Sequence, residues 1–199
     1  MSLQPVPGDL ILPRSQPEFS IKWVEESDLR DLVAELPLED FLYFPNKPAE
    51  ETAPAWLAHI QNCTKQGVWL MVIRAQETGE LLCLTSFLDW KPAHRGVEIG
   101  HTLVVRHHRG TWVNPAIKLA LMRHAFEVMG LNRVQLKAHA LNMRSRNAIK
   151  KIGAEFEGVL RKNTLMSDGS WRDTAYYSVL SDEWPEVKRR LSDLSAQSP

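Results

Sequence analysis

Several features that mark specialised proteins are scarce or missing in this chain of 199 residues. It has two cysteines, Cys63 and Cys83, with no CxxC spacing. That excludes a disulfide framework and a cysteine-rich zinc site, and it points to a reducing compartment. No apolar run approaches the roughly 20 residues of a membrane-spanning helix. Neither sign of charge is in excess, since 24 Lys and Arg balance 24 Asp and Glu. A global attraction to nucleic acid is therefore not implied. The phosphate-loop pattern GxxxxGK[ST] and the dinucleotide pattern GxGxxG are both absent, which argues against a nucleotide-binding module. The opening MSLQPVPGDLILPRSQPEF lacks the basic-then-apolar order of a signal peptide, so a cytoplasmic location is expected. No repeat or low-complexity tract is found.

What remains is an ordinary globular composition, 44% hydrophobic and 24% charged, enough for one domain with a core. Pro5, Pro7, Pro13 and Pro17 suggest an extended arm over residues 1–18, ahead of a domain over 19–194 and a tail over 195–199. Phe19 to Val24 alternates as a half-buried strand does. Ser27 is placed to cap a helix carrying Leu29, Leu32, Val33 and Leu36, which Pro37 stops. Residues 38–48 are irregular and aromatic, and a second helix runs from near Glu50 to Gly67. Strands follow at Val68 to Arg74, Leu81 to Trp90 and Val97 to Val105, the first two forming a hairpin. Pro115 to Met129 reads as a helix ended by Gly130. Arg133 to Ala140 is a strand, and Met143 to Ile152 a helix capped by Asn142. Glu155 to Leu165 and Thr174 to Leu180 are strands, and Trp184 to Leu194 is a last helix. This order predicts an α/β (α+β) domain with a mixed sheet, because the later strand-helix-strand unit needs a parallel crossover.

The most informative stretch is the loop Arg106-His107-His108-Arg109-Gly110-Thr111-Trp112-Val113-Asn114-Pro115. A strand enters it and a helix leaves it. The first amides of a helix lack intrahelical partners and, with the helix dipole, favour phosphate. The amides of Gly110, Thr111, Trp112, Val113 and Asn114 are the candidate donors, with Asn114 as cap and Pro115 in the first turn. Gly110 allows close approach of a ligand. Arg109, with Arg106 nearby, would add charge-assisted bonds to a pyrophosphate. The plainer alternative is a helix start with solvated arginines.

The stretch from Val97 to Trp184 resembles the RimJ/RimL-type branch of the GNAT acetyltransferases. The resemblance rests on VEIGHTLVVRHHRGTWVNPAIKLALMRHAFEVMGLNRVQLKAHALNMRSRNAIKKIGAEFEGVLRK followed by DGSWRDTAYYSVLSDEWP. Against the superfamily loop pattern Gln/Arg-x-x-Gly-x-Gly/Ala, Arg109 matches, while Trp112 and Asn114 replace the two small residues. Asn at the last position is common in this branch, and the Trp112 side chain must point away from a pyrophosphate. The resemblance implies a mostly antiparallel sheet splayed at the fourth strand, acetyl-CoA (coenzyme A) as cofactor, and transfer to a primary amine of a protein N-terminus or a small molecule. It also makes a homodimer plausible. The pantetheine would lie along the backbone of Leu103, Val104 and Val105, with the Val104 amide facing the oxyanion.

Acetyl transfer to an amine requires a base for the amine proton and a preplaced donor for the oxyanion. Glu98 resembles the family's general base, with an exposed strand carboxylate as the alternative. His101 is the other candidate, because its unperturbed pKa suits the work. Strand alternation puts the two on opposite faces unless a β-bulge intervenes at Gly100. Asn142-Met143-Arg144-Ser145 matches the family's Asn-x-x-Ser. Asn142 then resembles the residue bonded to the pantetheine, and Ser145 the general acid toward the thiolate, though Asn142 is equally a helix cap. Ile149 stands where many members have a tyrosine, and Asp173 matches an aspartate read as structural. His107 and His108 have no carboxylate at ligand spacing, so no metal is expected. Phe41, Tyr43, Phe44, Trp56 and Trp69 form core or line an acceptor pocket. The competing reading is an acyl-CoA-binding sensor that needs neither Glu98 nor Ser145.

Overall fold

The computed structural model describes residues 6–196. Its strands are β1 (Phe19–Trp23), β2 (Val68–Ala75), β3 (Leu81–Lys91), β4 (Gly96–Val104), β5 (Arg133–His139), β6 (Glu155–Leu165) and β7 (Trp171–Leu180). They form one sheet in the order β1-β2-β3-β4-β5-β7-β6. Every neighbouring pair is antiparallel except β4 with β5. The helices are α1 (Leu29–Glu35), α2 (Ala53–Lys65), α3 (Val113–Arg123), α4 (Met143–Lys151) and α5 (Trp184–Ala196). The fold class and the order of elements agree with the sequence-based expectation.

Alternation along the strands assigns the two faces. In β2, Leu70 and Val72 pack with Leu32, Trp56 and Ile60, under α1 and α2. Met71 and Ile73 point the other way, into a larger core with Ile117 and Leu121 of α3 and Val187 and Leu191 of α5. A period of two thus gives each face its own apolar layer. Arg74 fastens α1 to the sheet, donating from Nε and Nη2 to Asp28 and from Nη1 to Asp31.

Three local expectations change. Ser27 lies inside a 3-10 turn (Glu26–Asp28), and Asp28 does the capping instead, accepting from the Glu25 amide at 2.9 Å. The predicted long third helix widens into a π-turn over His124–Val128, where Met129 N–H reaches the His124 carbonyl. There His124 Nε2 meets the Ile11 carbonyl at 2.9 Å. Residues 6–18 hold no helix or strand, yet they lie on the core, with Leu10 buried. Ser195 and Ala196 of the expected tail belong to α5. The rest of that tail, and residues 1–5 of the expected arm with Pro5, lie outside the described residues.

Leu121 is fully buried under α3, whereas Leu141 is 73% exposed. Leu121→Ala should lower unfolding free energy by about 2–5 kcal/mol in urea denaturation. Leu141→Ala should change it by no more than about 0.5 kcal/mol.

Candidate active site

β4 follows β3 along its whole length, but it pairs with β5 only at Gly96↔Arg133, Val97↔Val134 and Glu98↔Gln135. Past Glu98 the two strands part. The gap is a cleft of about 540 Å³ that reaches the starts of α3 and α4. Val105 N–H donates to the Leu82 carbonyl on the β3 side. Alternation therefore turns the N–H and carbonyl of Val104 toward the cleft. The carbonyl is taken by Arg109 Nε at 2.9 Å, while no described residue accepts from the amide. The side chains of Leu103 and Val105 are buried under α1 and α2, and alternation turns the N–H groups of both toward β3.

The strand is bulged where the sequence suggested. Leu84 pairs with Leu103 and Ser86 with Gly100, so His101 and Thr102 together face Thr85. The extra residue sits at His101, whose φ of 47° is left-handed. Gly100 stays flat beside it, because a Cβ there would meet Leu88 at 2.8 Å. The bulge brings Glu98 and His101 into the lining of one cleft. Glu98 is 4% exposed. Its Oε2 is held by Lys137 Nζ at 2.7 Å and Gln135 Nε2 at 3.0 Å, and its Oε1 has no partner among the described residues. The His101 Nδ1 lies 3.2 Å from Ser86 Oγ. Burial first, then the neighbouring His59, Arg172 and Lys137, push the imidazole down to about 4.

The α3 start differs from the expectation in register. The helix begins at Val113, with Trp112 as its first flanking residue, so Asn114 lies inside the first turn and is not the cap. Thr111 takes that work: its Oγ1 accepts from Val113 N–H at 3.3 Å and donates to the His108 carbonyl at 2.7 Å. The amides of Gly110, Thr111, Trp112 and Asn114 have no acceptor among the described residues. Gly110 has φ of 79°, with open space where a side chain would sit. The Trp112 ring packs near Phe19 on the opposite side of the loop from the cleft. Arg109 and Arg106 are paired rather than free, although the Arg106 side chain stays exposed. Both hold Asp40, and Arg106 also holds Glu39. Burial raises the Asp40 pKa, but the two arginines outweigh it and hold the carboxyl below its ordinary value.

Asn142 caps α4 through Oδ1, which accepts from Ser145 N–H at 3.1 Å. The Ser145 hydroxyl has no partner among the described residues, and both residues line the cleft. Glu80, 27 residues before His107, bridges the two histidines at 2.7 and 2.9 Å. All three could hold an ion, so the premise that no carboxylate stood at ligand spacing fails in space. Asp173 accepts from Lys162 N–H at 2.7 Å. The two cysteines are free and buried, and burial pushes both thiols up to about 12.

Sequence reasoning missed three groups. Lys118 is buried on the cleft side of α3 and donates to Thr102 Oγ1 at 2.8 Å. Burial lowers its pKa to about 8, despite the nearby Cys83 and Glu98. His59 is buried among Phe41, Trp56 and Cys63, and burial takes it to about 4. Arg172 lines the cleft beside Tyr43. Lys118, four residues after Asn114 on the helix, was legible as a cation beside an apolar stripe; Arg172 was masked by attention to Asp173.

With this geometry in view, the comparisons are decisive for the family. Residues 19–155 match the acetyltransferase (GNAT) domain. The chain belongs to the GNAT acetyltransferases. A Bacillus subtilis protein provisionally named the ribosomal N-acetyltransferase YdaF is 33% identical over 110 residues, 55% of this chain and 59% of that one. The uncharacterized N-acetyltransferase YoaA of the same organism is 29% identical over 54% of this chain and 60% of its own. The match thus spans about three fifths of these curated relatives. A T. thermophilus structure provisionally described as an acetyltransferase superposes with TM-score 0.84 and 31% identity, covering 92% of this chain and 97% of that one. The Vibrio cholerae spermidine N-acetyltransferase complexed with CoA and spermine shares the fold at TM-score 0.69 and 15% identity, over 85% of this chain and 99% of its own.

His59 and His101 titrate near 4 in the folded protein against an ordinary 6.5. Their contribution to stability is complete above about pH 6.5. It declines toward pH 4 as the unfolded chain takes up protons that the folded chain refuses. Urea midpoints should therefore fall from pH 7 to pH 5, before the paired carboxylates titrate. His59→Gln/His101→Gln should flatten that fall in part, since His124 and His139 shift the same way.

Proposed function

We propose that the chain is an acetyl-CoA-dependent N-acetyltransferase of the RimJ/RimL type, acting on a primary amine of a peptide or small molecule. The observation that carries this reading is the set of unengaged amides at Gly110, Thr111, Trp112 and Asn114, of which Gly110 and Asn114 line the cleft that the Val104 amide faces. A helix start with free N–H groups suits a pyrophosphate, and an unpaired strand backbone suits an amide-bearing arm. The chain's residues therefore fit coenzyme A. When bound, this group supplies an acyl thioester.

The amides of Gly110, Thr111, Trp112 and Asn114 would hold the pyrophosphate, with Arg109 beside them, while the Val113 amide stays on Thr111 Oγ1. Of the strand segment Leu103 to Val105, the Val104 backbone would hold the arm, together with the free Nδ2 of Asn142. The Val104 N–H is the donor for the developing oxyanion. Glu98 accepts the amine proton through its unpartnered Oε1, with Lys137 and Gln135 fixing the carboxylate. His101 is the weaker base, because an imidazole pushed to about 4 has little drive to take a proton at neutral pH. The Ser145 hydroxyl would face the thiol end of the arm and pass a proton toward it, regaining one from solvent.

Incubation with acetyl-CoA and an amine panel should release free thiol. CoA binding without thiol from any amine would instead leave a CoA-binding sensor. Glu98→Gln should lower kcat by about 10²–10⁴-fold, the usual share of a general base, with the CoA dissociation constant unchanged in calorimetry. An unchanged rate and pH profile would remove Glu98 from the role. Arg109→Ala should weaken CoA binding by about 1.5–3 kcal/mol, the range for a charged hydrogen bond, without altering the pH profile of turnover.

A further inference from the structure

The end of the cleft away from α3 is bounded by Tyr43, Phe44, His101, His139, Asn163 and Arg172. Among these, Arg172 is the group whose own needs the protein leaves unmet. Its Nη1 donates to the Tyr43 carbonyl at 3.2 Å. Its Nε is sealed from solvent with no acceptor. No carboxylate pairs with it among the described residues. A guanidinium keeps its charge in any protein environment, and a buried charge without a partner is costly. Burial does press its pKa downward, and its charge in turn depresses His101 and His139.

The carboxylates of the lining offer no relief. Asp40 is committed to Arg106 and Arg109, and Glu98 to Lys137. A polycationic acceptor would thus bring further positive charge beside Arg172, with only the Glu98 Oε1 unpartnered among the lining carboxylates of the described residues. An acceptor carrying its own anion would complete the arginine.

We infer that Arg172 is a specificity residue selecting amines that carry a carboxylate close to the reacting nitrogen, through a charge-assisted bond from its Nη2, which no described residue engages, while Nη1 stays on the Tyr43 carbonyl. This rests on the acetyltransferase reading and deepens it. A free amino acid supplies such a carboxylate from its own backbone, and a peptide supplies it from an acidic side chain next to its N-terminus.

Two matched pairs separate the sources: alanine against alanine amide, and Ser-Asp-Ala amide against Ser-Asn-Ala amide, with spermidine as the polycation. Thiol release from acetyl-CoA should favour the carboxylate member of one pair by about tenfold or more, the gap expected from one charged hydrogen bond. Arg172→Gln should reduce that preference to under about twofold, and Arg172→Lys should keep part of it. A merely structural Arg172 would lower all rates together and leave the preference intact, which would overturn the inference. So would spermidine as best acceptor, or no discrimination within either pair. Calorimetric titration of the same pairs into CoA-loaded wild type and Arg172→Gln reads the preference without turnover. A protein that bound the carboxylate members selectively but released no thiol would refute the acetyltransferase reading while upholding the role of Arg172. A protein that acetylated neutral and anionic amines alike would do the reverse.

Discussion

The structure turns on a failure of pairing. Backbone N–H and carbonyl groups inside a sheet require partners, and β4 loses one set of them after Glu98↔Gln135. The groups proposed for the chemistry collect along that seam. The Val104 peptide faces it, the bulge at His101 directs a second side chain into it, and α3 begins where the strand ends. The partner that restores the missing bonds on the cleft side must carry hydrogen-bonding groups of its own. That is why a site can be read there before any ligand is named. Arg109 already supplies one substitute by binding the Val104 carbonyl, which leaves only the amide to be satisfied.

Charge burial around the seam points the same way. Glu98 with Lys137, Lys118 with Thr102, and Arg172 with a single carbonyl are all taken from water near one another. For stability alone, an apolar residue of similar size serves as well as such a pair and often better. Clustering of groups with shifted pKa values in a cleft is the pattern of a functional site rather than of a core. The distinct apolar layers on either side of the sheet, by contrast, contain few polar atoms and account for the fold without reference to the cleft.

The sequence disclosed what depends on short range. Period-two runs such as FSIKW and RVQLKAH gave their strands, and Gly100 announced a bulge that the structure places one residue on. The α3 start misled because Asn114-Pro115 has the look of a cap and first turn. The Thr111 hydroxyl captures the position two residues earlier, and proline is tolerated anywhere in a first turn, where its missing N–H is not needed. Contacts between remote segments left no such trace. Asp40 lies 66 residues before Arg106, Tyr43 lies 129 before Arg172, and Glu80 lies 27 before His107. No period or local motif encodes these distances, so the arginines of the loop read as free until the fold closed on them.

Those remote contacts give the irregular segment after α1 its placement. It is too short of regular hydrogen bonds to hold itself, with only a 3-10 turn over Leu38–Phe41. One end is gripped through Asp40 by Arg106 and Arg109 of the loop before α3, and the other through the Tyr43 carbonyl by Arg172 of β7. Phe41 anchors the middle against Trp56 and His59. The segment that walls one end of the cleft is therefore tied to the loop that forms the other. Arg109 and Arg172, which hold the wall in place, both line the cleft themselves, so the wall and the lining share the same cations.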